Sequence, residues 1–142
     1  MKMHVERIRK EVPLPYKQHE HDAAFDLFSA EEVHLEPGER ARICTGIRMG
    51  IPQGHVGLIS DRSGIAWKQG LTVLAGVIDS GYTGEWMIVI LNTSDEEQVI
   101  AKHMRIAQVL ILAIAAIELV EVEHVAATSK RAEKGFGSSG LQ

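Results

Sequence analysis

At 142 residues, with 45% hydrophobic and 24% charged side chains, the chain suits one domain with its own core. Its composition excludes collagen, coiled-coil rods and wholesale disorder. A formal net charge of −4 argues against a protein whose main work is nonspecific grip on nucleic acid.

The dominant hydrophobic period is two, the mark of strands with one wet face. Met1, Met3 and Val5 alternate with Lys2, His4 and Glu6, unlike the unbroken apolar stretch of a signal peptide. His19 and His21 point alike on a strand but find no third partner for a metal. Val33 and Leu35 alternate with charged neighbours until Pro37-Gly38 makes a turn. Ala41, Ile43, Ile47, Met49 and Ile51 share one parity, and Arg40, Arg42 and Arg48 the other. The single cysteine, Cys44, makes neither an intrachain disulfide nor a cysteine-cluster zinc site, and reads as a small buried hydrophobe rather than a nucleophile. The stretch 60–70 opens on the capping residues Ser60 and Asp61 and closes on Gly70, which predicts a helix of one to two turns. Leu71 to Ile78 reads as a strand, residues 79–84 as a turn and Trp86 to Asn92 as the returning strand, a hairpin with Asp79 at its tip. Residues 101–118 fit a helix or a buried strand equally. Their apolar part, 106–117, falls short of the roughly 20 residues that a spanning helix needs, so a soluble, cytoplasmic protein without membrane contact is expected. Val120 and Val122 alternate with Glu121 and Glu123 as a further strand. Many short strands between turn residues imply an all-β sandwich or barrel. From Ala126 to Gln142 no apolar face remains, so a β core over 1–125 and a mobile tail over 126–142 are expected.

Several groups are able to carry chemistry. Arg62-Ser63-Gly64 puts a guanidinium, a hydroxyl and free amides at the expected helix start, which suits phosphate or makes a capped surface turn. Asp79 ends an apolar strand, either as a turn former or as a base that orients and deprotonates water. Tyr82 walls a pocket or packs. Asp22 and Asp26 suit magnesium through water, or are loop acids. Arg105 and Gln108 cap backbone or reach a phosphate. In the tail, glycines with Ser138 and Ser139 suit an anion, and Phe136 a flat ligand.

The order of these groups resembles the five signatures of the trimeric dUTPase family. They run through Asp22 to Ala30, Arg62 to Ala66, Gly76 to Glu85, Arg105 to Gln108, and Gly135 to Gly140, nearly the whole chain. The resemblance implies a jelly-roll-like β subunit with one short helix, a homotrimer with shared active sites, and magnesium-dependent hydrolysis of dUTP to dUMP and pyrophosphate, limiting uracil in DNA. It implies that Asp79 activates the water attacking the α-phosphorus and that Tyr82 packs on the deoxyribose. Backbone around Gly76 would pair with uracil. Arg62, Ser63, Gly64 and Gln108 would hold phosphates, and Asp26 would support magnesium through water. The tail would close with Phe136 on uracil and with Arg131, Gly137, Ser138 and Ser139 at the phosphates. The chain departs from the family pattern at Asp61, where proline is usual. There an acid either weakens anion binding or points to solvent. It departs also at Phe25, Gly81, Thr83 and residues 131–135. The alternatives are a dCTP deaminase-like or bifunctional enzyme of the same fold, and a non-catalytic nucleotide-binding relative.

Overall fold

The computed structural model describes residues 1–126, which form eleven strands and one helix. The tail expected from residue 126 onward lies, after that residue, outside the described residues.

The strands are β1 (His4–Arg7), β2 (Phe25–Phe28), β3 (Val33–Leu35), β4 (Arg40–Cys44), β5 (Ile47–Gly50) and β6 (His55–Ser60). After the helix α1 (Ser63–Gln69) come β7 (Leu71–Leu74), β8 (Val77–Asp79), β9 (Met87–Asn92), β10 (Gln98–Ile100) and β11 (Arg105–Ala113). The strand pairs described are all antiparallel. A four-stranded sheet runs β2-β11-β6-β8 and a three-stranded one β4-β9-β7, with two ribbons, β1-β5 and β3-β10. The fold is therefore all-β with one short helix, as the alternation requires. Along β9, Ile88, Ile90 and Asn92 are buried and the residues between them are not. Leu27, Leu35, Ile43, Ile47, Trp86 and Val109 complete the centre of the core. The ambiguous stretch 101–118 resolves as strand over 105–113 because β11 lies between β2 and β6, buried by neighbours on both edges.

Four expectations change. The run 71–78 is two strands, because Ala75 adopts a left-handed φ of 57° and turns the chain out of the first sheet. β7 pairs with β9, whereas β8 crosses to pair with β6, so Asp79 ends an edge strand and is not a hairpin tip. Gly76 makes this corner possible: a Cβ there would stand 2.6 Å from the Ile59 carbonyl oxygen, and Ile59 N–H donates to the Gly76 carbonyl at 2.7 Å. Residues 120–123 form no strand; Val120 and Val122 are 71% and 57% exposed, with no strand beside them to pair with among the described residues. His19 sits in a turn, its N–H bonded to the Asp22 carboxylate at 2.9 Å. All four residues of β1 are exposed, so its alternation does not bury a face of the strand within this chain.

Candidate active site

The pairing of β11 builds the first half of the site. Gln108 faces Asp26 on β2 and Ser60 on β6, so one row across three strands ends at residues 61–64, which lead into α1. Asp26 is buried, and a buried charge is stable only when paired. Arg62 Nε donates to its Oδ1 at 2.7 Å and Arg105 Nη1 to its Oδ2 at 3.3 Å. Arg62 thus starts the helix backbone while its side chain is fixed from the neighbouring strand.

These residues line a cleft of about 390 Å³ that gathers Asp22, Asp26, Arg62, Ser63, Gly64 and Gln108. Ser63 and Gly64 are exposed at its rim. Gln18 and Leu110, which no sequence pattern singled out, also contribute. Gln108 Nε2 donates to the Asp61 carbonyl at 2.7 Å. The Asp61 carboxylate neither caps α1 nor points to solvent. Its Oδ1 accepts Val73 N–H at 2.6 Å and its Oδ2 the Thr72 hydroxyl at 2.9 Å.

A second cleft of about 320 Å³ gathers Gly76, Asp79 and Tyr82 with Arg42, Ile59, Val77, Met87 and Val89. Asp79 is exposed at the end of β8. Tyr82 N–H donates to the Asp79 carbonyl at 3.2 Å, and the Tyr82 hydroxyl to the Glu85 carbonyl at 2.9 Å, which holds the ring across the turn above Gly84. Glu85 in turn accepts Gly46 N–H at 2.8 Å.

The two clefts share no lining residue. β11 and β8 flank β6, where Gln108 stands opposite Ser60 and Asp79 opposite Val56. Two strand spacings and four residues of rise put Gln108 and Asp79 roughly 16 Å apart. Arg131, Phe136, Gly137, Ser138 and Ser139 lie outside the described residues. Cys44 is half-buried against the core, and burial followed by its contact with Glu31 pushes its thiol pKa up, away from nucleophilic reactivity.

The dUTPase family model matches residues 10–140. That span carries both clefts and settles the relationship. The chain belongs to the dUTPase family. Among curated relatives, it is 42% identical to a deoxyuridine 5'-triphosphate nucleotidohydrolase of Clostridium novyi, with 99% of this chain and 100% of that protein covered. It is 44% identical to one of Clostridium kluyveri, with 99% of each covered. Among solved structures, the Staphylococcus bacteriophage 80alpha dUTPase with dUpNHpp superposes with a TM-score of 0.92 at 37% identity, over 99% of both chains. A point mutant of the phage phi11 dUTPase, described as coordinating a structural Mg(II) ion, superposes with a TM-score of 0.84 at 31% identity, over 89% of this chain and 100% of that one. Among the described residues, no helix is long and apolar enough to cross a membrane.

Proposed function

We propose that this chain hydrolyses dUTP to dUMP and pyrophosphate, and so limits uracil in DNA. The observation that carries the reading is the pair of complementary clefts. One is built on Arg62, Ser63 and Gln108, donors that suit phosphate, and the other gathers the carboxylate of Asp79 with Tyr82 and Gly76. In this reading Asp79 takes a proton from water as its oxygen attacks the α-phosphorus. The bond from that phosphorus to the bridging oxygen breaks, and pyrophosphate leaves. Tyr82 packs on the deoxyribose, and backbone around Gly76 pairs with the uracil edge, because an unmatched base would leave buried polar groups unpaired. Arg62, Ser63, Gly64 and Gln108 hold the phosphates. Phe136, on uracil, and Arg131, Gly137, Ser138 and Ser139, at the phosphates, close the site from the tail.

Magnesium fits this donor set. Among the described residues, no group of three or more His, Cys, Asp or Glu side chains converges on a point. An ion carried by triphosphate oxygens and waters needs no such cage. Asp26 uses one lone pair of each oxygen on an arginine, which leaves acceptors for a water of the ion's shell. The bound ion would supply charge neutralisation of the triphosphate.

A homotrimer with shared sites is part of the proposal. Two features support it: the roughly 16 Å between Gln108 and Asp79 of one chain, and the exposed residues Ile117, Leu119, Val120, Val122 and Val125 beyond β11, which lack cover among the described residues. The substrate, a free nucleotide, makes the cytoplasm the expected location.

The test is pyrophosphate release from dUTP, dCTP, dTTP and UTP side by side, with magnesium and then with EDTA, while ammonia from dCTP is followed. Magnesium-dependent cleavage confined to dUTP is expected. Ammonia from dCTP, or binding of dUTP without cleavage, overturns the reading.

A further inference from the structure

Asp61 stands where the family pattern has proline, and its surroundings give it a task. The loop from Ser60 to Ser63 leaves the four-stranded sheet at the end of β6 and enters α1. β7 is the edge strand of the other sheet, with β9 on one side only. An edge strand leaves backbone donors unpaired. Asp61 covers one of them: Val73 N–H donates to its Oδ1 at 2.6 Å, while the Thr72 hydroxyl donates to Oδ2 at 2.9 Å. The Asp61 carbonyl accepts from Gln108 Nε2 at 2.7 Å. The residue is thus tied to β7 by its side chain and to β11 by its main chain. Both carboxylate oxygens are turned toward donors on β7, and Asp61 does not line the cleft of Arg62, Ser63 and Gly64. Its charge is therefore directed at bonded donors and away from an incoming phosphate.

From this geometry we infer that Asp61 is a positioning residue for the phosphate end of the site. It fixes the turn that presents Arg62, Ser63 and Gly64 and orients the Gln108 amide. A proline restricts such a turn through its ring. Here two charge-assisted hydrogen bonds restrict it instead. Ser60, on β6, is already extended, the conformation that a residue before proline requires, so the preceding residue accommodates either solution. The inference rests on the proposed triphosphate site.

The experiment measures affinity of the full chain, with magnesium, for dUpNHpp and separately for deoxyuridine, together with kcat and KM for dUTP. Asp61→Ala is expected to weaken dUpNHpp binding about tenfold, the loss of roughly one charge-assisted bond in net terms, with deoxyuridine affinity unchanged. Asp61→Pro is expected to restore most of the triphosphate affinity. Thr72→Val, which removes one of the two bonds, should give a smaller loss confined to the triphosphate, and it keeps the inference testable where Asp61→Ala does not fold. Unchanged or tighter binding of dUpNHpp by Asp61→Ala overturns the inference, as does an equal loss for both ligands. Failure of the unmodified protein to bind dUpNHpp or turn over dUTP would instead overturn the proposed function.

Discussion

Replacing Asp26 by asparagine tests how the phosphate cleft is held. The substitution keeps the size of the side chain and removes a charge that two arginines share. Arg62 makes the shorter bond, at 2.7 Å, and its side chain is 26% exposed; Arg105 bonds at 3.3 Å and is 38% exposed. A hydrogen bond to a charged group contributes about 1.5–3 kcal/mol, and the lower end suits a partner as accessible as Arg62. The longer, more solvated pair with Arg105 contributes about 0.5 kcal/mol after screening. The sum is about 2 kcal/mol, which for a domain of this size lowers Tm by roughly 6–8 °C. Differential scanning calorimetry at fixed protein concentration measures it, since any assembly makes Tm concentration-dependent. A double-mutant cycle with Arg105→Met then separates the two pairs. With Arg62 no longer clamped, kcat/KM for dUTP should fall at least about tenfold, equivalent to 1.4 kcal/mol. A Tm within about 1 °C of the unmodified protein, with kcat/KM intact, would refute the clamp and with it the account of how Arg62 is aimed.

Three further substitutions probe other parts of the chain. Asp79→Asn should bind dUpNHpp normally and lose about 10²–10⁴ in kcat, the contribution of a general base; turnover near normal would remove Asp79 from that role. Gly76→Ala forces a Cβ to within 2.6 Å of the Ile59 carbonyl oxygen. It should cost about 1–3 kcal/mol in urea unfolding, and a value below about 0.5 would mean that the corner yields freely. His34 has its pKa raised above the ordinary value by hydrogen bonds to Glu97 and then Glu32. A raised folded-state pKa stabilises below the unfolded value near 6.5 and loses that contribution as pH climbs through the folded one. The Tm difference between the unmodified protein and His34→Gln should therefore be larger at acid pH than in the alkaline range, and a constant difference would contradict the assignment.

Much of this fold is legible because each half-buried strand writes its own period. Ile43, Ile47 and Met49 declare which face is inward, and Gly70 marks the helix end with a left-handed φ of 63°. What the sequence conceals is partnership. The apolar run 71–78 hides a corner at Ala75, since a non-glycine residue in the left-handed region carries no compositional signature. Val120 and Val122 alternate like a strand, yet alternation needs a second edge, and none lies beside them among the described residues. The functional residues divide in the same way. Arg62, Ser63, Asp79 and Gln108 are visible through motif order, whereas the ion pairs from Asp26 to Arg62 and Arg105 join positions far apart in the chain. Asp61 reads as a helix cap by local rules. A donor on the edge of β7 outcompetes the helix for its carboxylate.

The central place of β11 also bears on how the protein comes into being. The strand that joins β2 to β6 is, of the four in its sheet, the one the ribosome delivers last. Until Arg105 to Ala113 emerges, β2 and β6 have no common partner, and the row from Asp26 to Ser60 has a gap where Gln108 belongs. From the completion of β6 at Ser60 until β11 emerges, the nascent chain therefore carries two sheet edges without their partner, the condition under which strands associate with the wrong neighbour. The row that carries Gln108 into the phosphate cleft is therefore completed only by the strand that comes latest of the four in its sheet.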